Sequence, residues 1–120
     1  MDGRSVARHA LLVIACLMGA AGVAAAAAAA HGGGGGPLAS ASLLLLVHAA
    51  AILALGSSIG RSLTGLVAMT GLAAGSLLFA ADMAMRTLGG TALFPMAAPI
   101  GGSTAILAWL VAAAAISRQP

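Results

Sequence analysis

The sequence predicts an all-α polytopic membrane protein, a single domain over residues 1–120 in which four helices cross a bilayer as an up-down bundle. Three observations lead there. The chain is 62% hydrophobic and only 6% charged, whereas a soluble domain carries roughly 25% charged residues. Four uncharged apolar runs follow one another, each near the approximately 20 residues that a helix needs to cross about 30 Å of hydrocarbon. Between them stand clusters of Gly, Ser and Pro that end helices, and none of the runs alternates as a barrel strand does.

The first run, Ala10 to Ala30, follows Arg4 and Arg8 and predicts a span over residues 8–30. A basic start and the small residues Ala24 to Ala30 also suit a cleavable signal peptide. The apolar run exceeds the usual h-region of about 7 to 15 residues, which favours retention as a span. Val13-Ile14-Ala15-Cys16 resembles a lipoprotein cleavage box, but the apolar run continues past Cys16, which reads as a small hydrophobe. The second run, Leu38 to Leu55, predicts a span over 38–56, after the glycines from Gly32 to Gly36 and Pro37. The glycine run lacks the Lys-Ser or Lys-Thr ending of a phosphate loop and reads as a turn.

The third run, Leu63 to Ala81, lies beyond Gly56-Ser57-Ser58 and Gly60-Arg61 and predicts a span over 62–86. The fourth, Ile100 to Ile116, predicts a span over 101–117 after a connection holding Gly89, Gly90, Pro95 and Pro99. Short connections make sequential helices antiparallel.

The net charge of +3 rests on five arginines against Asp2 and Asp82, with two Phe, one Trp and no Tyr. Scattered charges without stacking platforms exclude a nucleic-acid partner; the expected surroundings are a lipid bilayer. Placing both termini in the cytoplasm puts Arg4, Arg8, Arg61 and Arg118 inside and leaves only Arg86 outside, as the retention of basic residues on the cytoplasmic side requires.

Few residues can carry chemistry. His48 falls about 15 Å into the second span, near the midplane, where an ionisable group is a functional candidate by default. Ser76 lies at a similar depth in the antiparallel third span and is the expected hydrogen-bond partner of His48. Asp82 and Arg86, four residues apart on one helix face, are expected to pair. His31 closes the first span and could approach Asp82. His9 beside Arg8 reads as interfacial. Three histidines on separate segments do not make a metal site, which wants three or four convergent donors.

Gly71 and Gly75 form a G-x-x-x-G face on the third span, suited to close backbone approach. Pro99, Gly101 and Gly102 read as a rigid turn before the fourth helix, with Ser103 or Thr104 as cap. Trp109 is deep enough to be a contact inside the bundle, where its indole N–H finds an acceptor. No paired carboxylates and no nucleophile with a base are present, so no enzyme and no cofactor are expected.

Four fragments, taken in order, carry a resemblance: Ala30-His31-Gly32; His48-Ala49-Ala50-Ala51-Ile52-Leu53; Gly75-Ser76-Leu77; and Pro99-Ile100-Gly101-Gly102 with Ala108-Trp109-Leu110. Together they are similar to the domain of unknown function 423 family of small bacterial inner-membrane proteins, related to the transmembrane protein 256 family of animals. The chain departs from that pattern at Leu45 and Leu46 before His48, at Leu78, at Ala98 before Pro99, and in its short glycine-rich first loop. The resemblance implies a multi-pass protein of the bacterial plasma membrane and supplies no reaction. The expected role is that of an accessory or scaffold protein packing with itself, as a homo-oligomer, or with a larger membrane protein. The alternative is an oligomeric pathway for a small solute or ion that uses His48 and Ser76.

Overall fold

The computed structural model describes residues 1–32 and 34–120; Gly33, in the first loop, lies outside the described residues. Its elements are four helices, α1 (Gly3–His31), α2 (Pro37–Ser58), α3 (Leu63–Gly89) and α4 (Ala97–Ser117). Each is long and apolar enough to cross a membrane. The helices overlap the spans read from the sequence and extend beyond them where local capping allows.

Helix α1 starts at Gly3, ahead of the apolar run, because the Asp2 carboxylate caps it by accepting from the Ser5 N–H at 2.8 Å. Helix α2 opens on Pro37, whose missing N–H costs nothing in a first turn that has no intrahelical acceptor. Helix α3 is capped by the Ser62 hydroxyl on the Gly65 N–H at 2.9 Å and ends at Gly90, in the left-handed conformation with φ +72°.

The start of α4 departs from expectation. Pro99, Gly101 and Gly102 are not a turn: the helix begins at Ala97, and all three lie inside it. Pro99 is tolerated because the first turn lacks acceptors for its N–H groups anyway. Neither Ser103 nor Thr104 caps the helix, and the Thr104 hydroxyl donates instead to the Ile100 carbonyl at 2.8 Å.

Helices α1, α2 and α3 pack on one another around Leu11, Met18, Leu45, Ile52, Met69 and Leu72. Helix α4 packs chiefly along α3, to which it adds alanines: Ala105, Ala108 and Ala112. Gly71 and Gly75 of α3 face it. A Cβ added at Gly75 would lie 2.6 Å from the Gly101 carbonyl oxygen and 2.8 Å from the Ala105 nitrogen. A Cβ at Gly101 would lie 2.7 Å from the Gly75 carbonyl oxygen. The two backbones therefore touch. Without a hydrophobic force between helices in lipid, such close contact is a principal source of association.

Polar groups tie the ends together. Arg8 Nε donates to the Gly56 carbonyl at 2.7 Å, and Gln119 Nε2 donates to the Ser58 carbonyl at 2.6 Å. The start of α1, the connection from α2 to α3 and the end of α4 thus share one end of the bundle. The opposite end carries Arg86 and the α3 to α4 connection.

Candidate functional site

Residue His48 is on α2 at the edge of the buried face, 7% exposed. Its Nδ1 pairs with the Leu44 carbonyl at 2.8 Å, one turn back, so this nitrogen carries the proton. Its Nε2 is then an acceptor, and it receives the Trp109 indole N–H of α4 at 3.1 Å. The two rings stand 6.0 Å apart between centroids and tilt by 52°. The imidazole is thereby held as a neutral tautomer, with both nitrogens engaged.

The expected partner was Ser76, and that pairing is not made. Ser76 is 0% exposed, on the α3 face that also buries Met69, Leu72 and Ala80, and its hydroxyl has no hydrogen-bond partner among the described residues. Depth agrees for both candidates; direction decides. Gly75 faces α4, and one residue further turns the side chain by about 100° into the apolar core of α1, α2 and α3. The Trp109 contact was within reach of the same depth argument. The helices α2 and α4 run in the same direction, and His48 and Trp109 lie at nearly equal rises from Pro37 and Ala97.

Asp82 and Arg86 pair as their spacing predicts, Arg86 Nε to Asp82 Oδ2 at 2.9 Å. The two partners differ in setting: Asp82 is 0% exposed and Arg86 43%. The other carboxylate oxygen accepts the Leu93 N–H at 2.7 Å, eleven residues away in the connection to α4. The Ala98 N–H, in the uncapped first turn of α4, also faces this carboxylate. Asp82 therefore anchors the connection and the start of α4 from a neighbouring helix. Sequence reading found the ion pair and missed this task, because the donors to Asp82 are backbone N–H groups that leave no mark in residue identity.

His31 does not approach Asp82. It is exposed in the last turn of α1 and makes no side-chain hydrogen bond among the described residues, while the Asp82 oxygens are engaged elsewhere. Gly102, read together with Gly101, has nothing within 4 Å of an added Cβ and takes no part in the seam. Five cavities of about 210 to 480 Å³ at the ends and on the outer faces of the bundle are lined by residues other than His48, Ser76 and Asp82.

A polar concavity was not anticipated. A cavity of about 480 Å³ opens at the end shared by the start of α1 and the α2 to α3 connection, lined by Asp2, Arg4, Ser5, Arg8, His9 and Arg61 among others. The signal was present as basic residues flanking two apolar runs, but their convergence depends on how the helices pack. Asp2 is held below its usual carboxylate pKa, first by the Ser5 N–H bonded to it.

The fold and these sites define a class: a small multi-pass integral membrane protein whose buried polar groups join helices. Compared with protein-family models, curated proteins and solved structures, the chain finds no match.

Proposed function

We propose that this is a non-enzymatic accessory or scaffold protein of the bacterial plasma membrane, packing with itself or with a larger membrane protein. Membership of the domain of unknown function 423 family, on the fragments quoted above, is part of the same proposal. One observation carries it. The polar side chains within the bundle are separate and enclosed: His48 is held by Leu44 and Trp109, Asp82 by Arg86 and Leu93, and Ser76 sits among apolar neighbours. A solute pathway would join them along one wet cavity, and the five cavities described above are lined by other residues. Outward faces rich in Leu43, Leu53, Ile106, Leu107 and Leu110 leave wide apolar surface for lipid or for another helix.

The proposed orientation has both termini in the cytoplasm. It is supported by Arg4, Arg8, Arg61 and Arg118 belonging to segments tied at one end, with Arg86 at the other. Retention of α1 is supported by the burial of Leu11, Ala15 and Met18 in the common core.

Mild-detergent purification of the tagged chain from its native membrane, with cross-linking, tests the role. A discrete homo-oligomer or a stoichiometric membrane partner is expected. A monodisperse monomer without partner, together with solute flux in vesicles that His48→Phe abolishes, would replace the scaffold with the pathway. Reporter tags at both ends test orientation, and finding them on opposite sides would exclude an even number of spans.

A further inference from the structure

Arginines near the ends of membrane spans need no explanation beyond orientation, and any placement around the bundle would serve it. What orientation does not require is convergence on a concave site. Arg4 and Arg8 come from the first turns of α1, and Arg61 from the connection between α2 and α3, more than fifty residues away; all three line the same cavity of about 480 Å³. Its volume lies within the range of about 300 to 1,000 Å³ usual for small-ligand sites.

The groups around it are arranged for an anion. Arg8 is positioned by its Nε bond to the Gly56 carbonyl, which leaves its two terminal nitrogens as donors. Gly60 lets it lie there, since a Cβ at that position would come 3.1 Å from Arg8 Cδ. None of the three guanidinium groups has a carboxylate partner among the described residues, where the one ion pair is Asp82–Arg86. Asp2, the cavity's one acidic group, has an oxygen engaged by the Ser5 N–H. His9 Nδ1 bonds the Ser5 carbonyl at 2.8 Å, which fixes the ring at the cavity wall. Three unpaired planar forks against a single carboxylate form a site with a surplus of positive charge and of N–H donors. Arginine forks match the oxygens of a phosphate, two at a time.

We propose that the cavity of Arg4, Arg8, His9 and Arg61 binds a phosphate group, supplied by the headgroup of an anionic membrane lipid. The placement favours that source over a soluble phosphate: Arg8 stands two residues before the apolar run that begins at Ala10, which is headgroup depth. The apolar groove of Ile14, Leu17, Met18, Ala21 and Leu77 is not assigned to this lipid's chains, because it opens on a different flank of α1.

Native mass spectrometry of the full chain in mild detergent tests the site, with phosphatidylglycerol, phosphatidylcholine and inorganic phosphate as probes. The expected result is one saturable phosphatidylglycerol site, stronger than for phosphatidylcholine. The pair Arg4→Gln and Arg61→Gln should weaken it by about tenfold or more, as losing charge-assisted bonds predicts. Arg118→Gln removes one charge at the same end but outside this cavity, and should leave binding as in the parent. Displacement of the lipid by millimolar inorganic phosphate, with phosphate itself retained, would keep the phosphate site and assign it to a soluble ligand. Equal binding by the double variant and the parent would overturn the proposal, as would an Arg118→Gln loss as large as the double variant's. So would the absence of any saturable binding. If the double variant loses its helical circular dichroism, Arg4→Gln alone carries the same comparison, since the Arg4 side chain makes no hydrogen bond or ion pair among the described residues.

Discussion

Two seams of this bundle use glycine in different ways. Between α1 and α2, glycines are notches for side chains: a Cβ at Gly22 would meet Leu46 Cγ at 2.8 Å, and one at Gly56 would meet Leu12 Cδ2 at 2.6 Å. Between α3 and α4, glycine meets glycine, and the atoms in the way are the backbones of Gly75, Gly101 and Phe79. A leucine tip can swing outward into lipid. A helix backbone can only move as a whole. The same residue type therefore marks a soft contact in one seam and a hard one in the other, and distance alone does not separate them.

The hard seam should respond most strongly to substitution. Gly75→Leu must push α4 away from α3 and is expected to cost about 3 kcal/mol or more, the upper range for overpacking. Thermal unfolding in detergent reads this directly. Parent-like unfolding would mean that the glycine face looks to lipid and that the seam is misplaced.

Asp82→Ala attacks the same seam at its end. It leaves the Leu93 N–H without its acceptor and the uncapped start of α4 without a carboxylate facing it, and should cost about 2 to 3 kcal/mol. Arg86→Gln keeps the carboxylate on the Leu93 N–H and puts a side-chain amide where it can still donate to Asp82, so it should cost less than Asp82→Ala. The reverse order would show that the ion pair, and not the backbone anchorage, holds this end.

Gly22→Ala probes the soft seam. Its cost should stay below that of Gly101→Ala, because Leu46 can rotate away, Leu45 Cβ at 3.2 Å need give only slightly, and alanine is the better helix former. A loss as large as that of Gly101→Ala would erase the distinction between the seams.

The smallest effect should have the opposite sign. Gly102→Ala meets no neighbour and should stabilise the chain by up to about 1 kcal/mol, whereas Gly101→Ala one position away should destabilise it. Equal effects at the two positions would break the assignment of Gly101 alone to the seam.

Fold class and the approximate spans were legible from the chain because they depend on quantities summed along it: run length, absence of charge, and the Gly, Ser and Pro between runs. The Asp82–Arg86 pair was legible because both residues lie on one helix, where spacing alone sets geometry. His48 was recognisable as a buried polar group by depth, and its partner was not. Choosing Trp109 over Ser76 requires the rotation of α3 and α4 about their axes, which small residues and backbone contacts decide after the helices meet. The same holds for Gly101 against Gly102, identical neighbours in sequence whose roles separate only because one of them faces α3. Arg4, Arg8 and Arg61 were counted as charges at one end of the molecule, but counting cannot show that they surround one cavity. Sequence by itself determined which segments are long and apolar enough to cross a membrane, since transfer into lipid is a property of each segment. Tertiary structure decided which polar groups meet, because in a medium as apolar as the side chains themselves, only shape and hydrogen bonding distinguish one helix face from another.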